Sequence, residues 1–124
     1  MIKLIPDTNF LIYLAKYNLL DDMDNYEILL LRQVLEELIY LSKAQKVKIE
    51  DRKFCCIVIS FLEVIKNRIN LIKDVEGKAD DAIVEFAVRK NAMVGTMDKI
   101  LIKRLKTKKI PILYIRQKRF LEEK

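Results

Sequence analysis

The chain has 124 residues, of which 52% are apolar and 34% charged, a mix that supports a buried core and excludes a disordered chain. It contains no histidine, which removes histidine acid–base catalysis, Ser-His-Asp and Cys-His nucleophiles and histidine metal ligands. The formal net charge of +6 suits a polyanion partner, although a solubilising surface explains it equally well.

Ile2 to Pro6 is a short apolar run ending in Asp7-Thr8-Asn9, which predicts a buried strand followed by a capped helix start. Phe10, Leu11, Leu14 and Ala15 then recur at helical spacing, and the polar stretch from Asn18 to Asn25 breaks the pattern. Tyr26 to Leu31 predicts a second buried strand. Helical periodicity resumes at Val34, Leu35, Leu38, Ile39 and Leu41 and runs to about Ala44. A further helix is expected over Lys53 to Asn67, carried by Ile57, Val58, Phe61, Leu62 and Ile65. Ile69 to Val75 predicts a third strand, with a turn at Glu76-Gly77. Ala79 to Arg89 reads as a helix with Ile83, Phe86 and Ala87 inward. Ala92 to Thr96 is a fourth strand, Asp98 to Leu105 a helix and Ile110 to Ile115 a fifth strand. Pro111 has no N–H for a ladder, so this strand is expected at an edge. The tail from Gln117 is expected to form a last turn of helix.

Strands alternating with helices predict an α/β fold, a single domain over residues 1–124 with a five-stranded parallel sheet and helices on both faces. The adjacent Cys55 and Cys56 read as two buried thiols in a reducing compartment. Nothing resembles a signal peptide or a membrane span, so a cytoplasmic protein without membrane contact is expected.

The acids have a pattern. Asp7 follows the first strand, Glu37 lies in the helix after the second, Asp80 and Asp81 open the helix after the third, and Asp98 follows the fourth. In an open α/β sheet the carboxyl ends of the strands form the binding crevice. Taken singly, each Asp is accounted for as a helix cap or first-turn acid, and Glu37 as part of a solvated face. If they converge, their mutual repulsion calls for a cation, and an oxygen-only site suits Mg²⁺ or Mn²⁺. Carboxylates holding such an ion, with a basic surface and no histidine, are suited to phosphodiester hydrolysis. The basic residues nearest the C-terminus include Lys99, Lys103, Arg104, Arg116, Lys118 and Arg119, the candidate contacts to a nucleic-acid backbone.

Several segments resemble the motifs of PIN-domain nucleases. Ile-Pro-Asp-Thr-Asn-Phe-Leu at 5–11 is similar to the opening motif and Val-Leu-Glu-Glu-Leu at 34–38 to the second. Ala-Asp-Asp-Ala-Ile at 79–83 is similar to the third, Val-Gly-Thr-Met-Asp-Lys at 94–99 to the fourth, and Ile-Pro-Ile-Leu-Tyr-Ile at 110–115 to the closing strand. The nearest groups are the ribosomal-RNA-processing PIN nucleases and the VapC-like toxins. The resemblance implies strand order 3-2-1-4-5, Mg²⁺ or Mn²⁺ as cofactor, and endonucleolytic cleavage of RNA. It implies catalytic roles for Asp7, Glu37, Asp81 and Asp98, with Asp7, Asp81 and Asp98 as metal ligands and Asp80 as the alternative to Asp81. Thr8, Asn9 and Thr96 are implied as supporting groups, roles that helix capping and turn bonding also explain.

Two positions depart from that pattern. Ile100 stands where many relatives carry a further acid, which implies one firmly held metal and a second only with substrate. Leu31 stands where relatives often have Pro. The Ile100 departure motivates a second reading, a catalytically weak RNA-binding or assembly protein of the same fold. The implied partners are RNA together with a protein antitoxin or a ribosome-assembly factor. A homodimer through Leu38 to Leu41 or Phe54 to Phe61 is an alternative to a core role for those residues. The absence of a Gly-rich phosphate loop disfavours a nucleotide-binding enzyme.

Overall fold

The computed structural model describes residues 1–118 and 120–123. Strand β1 (Ile2–Pro6) leads into helix α1 (Thr8–Lys16), and a 3₁₀ segment (Leu20–Asn25) carries the chain to β2 (Tyr26–Leu31). Helices α2 (Arg32–Lys43) and α3 (Ile49–Val64) follow, then β3 (Ile69–Ile72), α4 (Ala79–Lys90), β4 (Met93–Gly95), α5 (Lys99–Thr107), β5 (Ile112–Arg116) and β6 (Phe120–Glu123). The sheet order is β3-β2-β1-β4-β5-β6. The first five strands pair in parallel, and β6 adds antiparallel to β5, with Leu113 opposite Glu123.

The predicted parallel order therefore stands, with a sixth strand beyond it. The tail expected to be helical is instead β6. A turn with Gln117 and Lys118 at positive φ (54° and 59°) reverses the chain, and four residues then suffice to pair with the free edge of β5. This also moves β5 off the edge. Pro111 is compatible because it precedes β5, where its carbonyl accepts from Val94 N–H at 3.0 Å and no ladder donor is required of it. The strand expected over 69–75 stops at Ile72, and the helix expected over 53–67 starts earlier, at Ile49. Only one of the two cysteines is buried. Cys55 joins Val58 and Leu62 on the packed face of α3, whereas Cys56, one residue further round the helix, is exposed.

The core lies on both faces of the central strands. Leu4, Ile5, Ile28, Leu31 and Val94 are fully enclosed or nearly so, as parallel central strands require. Phe10, Leu11 and Leu14 of α1 and Val34 and Leu38 of α2 pack onto the sheet, with Ile83, Phe86 and Ala87 of α4 and Leu101 and Leu105 of α5. Leu38 is thus core, while its neighbours Ile39 and Tyr40 face solvent. Among the described residues no helix is long and apolar enough to cross a membrane.

Gly95 ends β4 and has to be glycine. A Cβ there would lie 2.6 and 2.7 Å from two ring carbons of Phe10, which is itself fully buried. Gly95→Ala is expected to lower stability by about 1–3 kcal/mol through overpacking, read as a lower urea midpoint with an unchanged m-value.

Candidate active site

The carboxyl ends of β1 and β4 are tied together by a chain of hydrogen bonds. Asp7 leaves β1 and caps α1. Its N–H donates to the Gly95 carbonyl at 2.9 Å, and its Oδ1 accepts from Phe10 N–H at 2.7 Å. Its Oδ2 accepts from the Thr96 hydroxyl, and Thr96 Oγ1 in turn accepts from Asp98 N–H at 3.1 Å. Asp98 caps α5, its Oδ1 accepting from Ile100 N–H at 2.8 Å and Leu101 N–H at 3.1 Å. Capping explains part of both residues, as their position before a helix implies. It does not explain why both border one hollow.

That hollow has a volume of about 220 Å³ and is lined by Asp7, Thr8, Asn9, Glu37, Asp80 and Asp98, with Val34, Ala79 and Ile83 as its apolar wall. Asp7 is the deep member, 8% exposed; Glu37, Asp80 and Asp98 stand at the rim. Asp81 is not among the lining residues. It follows Asp80 by one helical step and pairs with Arg104 at 2.9 Å. The register of α4 at the hollow is held from α2. Gln33 Nε2 donates to the carbonyls of Val75 and Gly77 at 2.7 and 3.1 Å, clamping the loop that delivers Asp80. Sequence reasoning passes over Gln33, because the loop it clamps lies more than forty positions away in the chain.

The electrostatics follow from burial. Asp7 is pushed up to about 6, mainly by loss of water; its bonds from Thr96 and Phe10 pull the other way, and Asp80 and Asp98 push it further up. Asp80 is also raised, first by burial and then by Asp98, with Arg104 opposing and Asp81 and Glu37 adding to the rise. The Thr8 hydroxyl is enclosed beside them and has no hydrogen-bond partner among the described residues. A protein seldom leaves such groups uncompensated.

The donor set consists of carboxylate, hydroxyl and amide oxygens, which fits a hard divalent cation in chemistry. Among the described residues, no three acidic or cysteine side chains stand close enough to hold one ion between them in this arrangement. Asp7 is oriented by its two bonds, and Asp98 Oδ1 is engaged in capping α5.

The basic residues predicted to meet RNA are dispersed. Lys99 and Lys103 are exposed on α5. Arg104 is engaged with Asp81, and Arg116 with Glu122 at 3.1 Å. Lys118 Nζ lies 5.8 Å from the centre of the Tyr17 ring. Arg119 lies outside the described residues. Ile100, in place of a further acid, is 76% exposed.

A mostly parallel α/β sheet with acids gathered at its carboxyl end defines a class, and comparison with known proteins agrees. The family model described as a PIN like domain matches residues 4–118, and the chain belongs to this family. It is 35% identical over 130 residues to Ribonuclease VapC4 of Methanocaldococcus jannaschii, spanning 98% of this chain and 96% of that protein. Among solved structures, VapBC2 from Rickettsia felis bound to a DNA fragment from their promoter is similar with a TM-score of 0.56 and 22% identity. That match covers 93% of this chain and 100% of the other, a likeness of fold.

Proposed function

We infer that the chain is a metal-dependent endoribonuclease and the toxin of a toxin–antitoxin pair, with RNA as substrate and an antitoxin protein as partner. The observation that carries this is its relation, over nearly the whole length of both chains, to a ribonuclease of the VapC type. The acid-lined hollow at the carboxyl ends of the strands supports it. The VapBC2 structure, in which a protein of this fold is found with its partner, supports the pairing.

In this reading Asp7, Asp80 and Asp98 hold Mg²⁺ or Mn²⁺. When bound, the ion supplies positive charge to the phosphoryl oxygens and acidifies water. A cation in the hollow would offset the burial that raises the Asp7 carboxyl to about 6, and the Thr96 hydroxyl fixes the orientation of that carboxylate at the wall. Glu37, exposed at the rim, takes the proton of the attacking water. Thr8 offers a ligand oxygen its hydroxyl, which has no partner among the described residues, and Asn9 also lines the hollow. Asp81 stays with Arg104. A compartment inside the cell, the cytoplasm, suits an enzyme that acts on RNA.

The test is cleavage of an end-labelled single-stranded oligoribonucleotide with Mn²⁺, Mg²⁺ or EDTA. Internal cleavage that EDTA stops and Mn²⁺ restores is the expected result. Cleavage indifferent to EDTA would overturn the metal dependence. Tight RNA binding without cleavage in any metal would leave the non-catalytic RNA-binding reading, which Ile100 favours.

A further inference from the structure

Helix α1 has a second use beyond supplying Asp7. Asn9 lines the acidic hollow and also a cavity of about 450 Å³ formed with the α2–α3 connection and the start of α3. Tyr13, one turn further on, lines that cavity and another of about 450 Å³, which ends at Gln117 and Lys118. The three hollows therefore share walls along one stripe of α1 and its cap, Asn9, Tyr13, Lys16 and Tyr17. Their spacing of three and four residues is that of a single helix face. It is not the core face, since the buried residues of α1 are Thr8, Phe10, Leu11 and Leu14.

The stripe combines stacked rings with cations. The rings of Tyr13 and Tyr17 lie with centres 5.9 Å apart and planes within 6°. Lys16 Nζ is 5.8 Å from the Tyr13 ring centre, and Lys118 Nζ is 5.8 Å from that of Tyr17. Exposed Lys46 and Lys48 stand on the facing wall. Asp51 is the acid among those lining residues and is in contact with Lys16 at 3.9 Å, so the wall remains net positive.

A pair of partly exposed rings flanked by ammonium groups suits a single strand. Its bases have π faces to stack and its phosphates meet the cations. A duplex hides its bases and uses only the charges. An acidic peptide likewise uses the charges and has no series of planar groups to lay on the tyrosines.

We propose that this groove is the path of single-stranded RNA to and from the acidic hollow, with bases stacked at Tyr13 and Tyr17 and phosphates held by Lys46, Lys48 and Lys118. The proposal rests on the ribonuclease reading. It shifts the RNA contact from Lys99, Lys103 and Arg104 on α5 to α1 and the α2–α3 connection.

The experiment is fluorescence anisotropy of a labelled single-stranded oligoribonucleotide in EDTA, across a salt series, with cleavage in Mn²⁺ measured separately. Tyr13→Leu is expected to weaken binding about tenfold and Tyr13→Phe less than about twofold, because stacking needs the ring and not the hydroxyl. Lys46→Ala with Lys48→Ala is expected to lower the log–log salt slope by about 1.4, two single-strand phosphates. Both lysines are exposed, so this variant tests the groove even where a tyrosine variant unfolds. Lys3→Ala with Lys73→Ala, exposed cations outside the groove, is expected to change nothing. Wild-type affinity and slope in the groove variants, or an equal loss in the Lys3/Lys73 control, overturns the path and leaves the surface to a protein partner. Loss of binding without any wild-type cleavage in Mn²⁺ keeps the groove and defeats the nuclease reading, so the two failures are distinct.

Discussion

Asp7→Asn is expected to reduce RNA cleavage about a thousandfold or more while making the folded chain more stable at pH 7. The two effects have one cause. Burial raises the Asp7 carboxyl from 3.8 to about 6, so the folded state prefers the protonated acid. Below pH 3.8 both folded and unfolded chains carry the proton and the residue contributes no penalty. Between about 4 and 6 the unfolded chain releases its proton first, and stability falls as pH rises. Above about 6 both forms are ionised and the loss is complete. A shift of this size corresponds to about 3 kcal/mol at pH 7, of which asparagine should recover on the order of 2 kcal/mol. Its side-chain oxygen can keep the Phe10 N–H cap, and its amide can donate to Thr96 Oγ1 in place of the bond received from that hydroxyl. Urea unfolding at pH 7 and at pH 4 checks this: the variant gains at pH 7 and the gain shrinks at pH 4. Mn²⁺ should stabilise the wild type at pH 7 and leave the variant unmoved, because the cation offsets the same buried charge. A variant that is less stable than wild type at pH 7 would mean that Asp7 is a structural cap and not a strained ligand.

Much of this arrangement was legible in the residues before any coordinates. Apolar runs of four to six residues alternating with helical periodicity require a parallel sheet, and that requirement places Asp7, Glu37, Asp80 and Asp98 at one end of it. What escaped is non-local. Strand β6 has no strong pattern of its own; it exists because β5 offers an open edge and because residues 117 and 118 adopt positive φ. The clamp from Gln33 to the β3–α4 loop joins residues more than forty positions apart, a relation that periodicity does not encode. The pairing within the basic C-terminal stretch is non-local in the same way. Charge density along the chain does not tell which cations are paired, and Arg104 and Arg116 each face an acid. The rings and lysines of the α1 groove are spread over residues 13 to 118, so only the fold assembles them.

The choice between Asp80 and Asp81, open in the sequence, becomes a prediction with opposite expectations for adjacent residues. Both open α4, where an acid favours the positive end of the helix, so capping does not separate them. Helical phase does. One step along a helix turns the side chain by about 100°. That turn puts Asp80 at the hollow, where it raises and is raised by its acidic neighbours, and sends Asp81 toward α5 and Arg104. The Arg104–Asp81 pair is largely exposed and too weak to account for the placement, which comes from the register fixed by Ala82, Ile83 and Phe86 in the core. Asp80→Asn is therefore expected to lower kcat/KM about a hundredfold or more and to raise the Mn²⁺ concentration needed for half-maximal rate. Asp81→Asn should stay within about fivefold of wild type, its effect confined to a lost surface pair. Initial rates across a Mn²⁺ series for both variants decide it. The reverse order of effects would mean that the Arg104 pair opens when RNA and metal are bound, and that Asp81 turns in to take the place assigned here to Asp80.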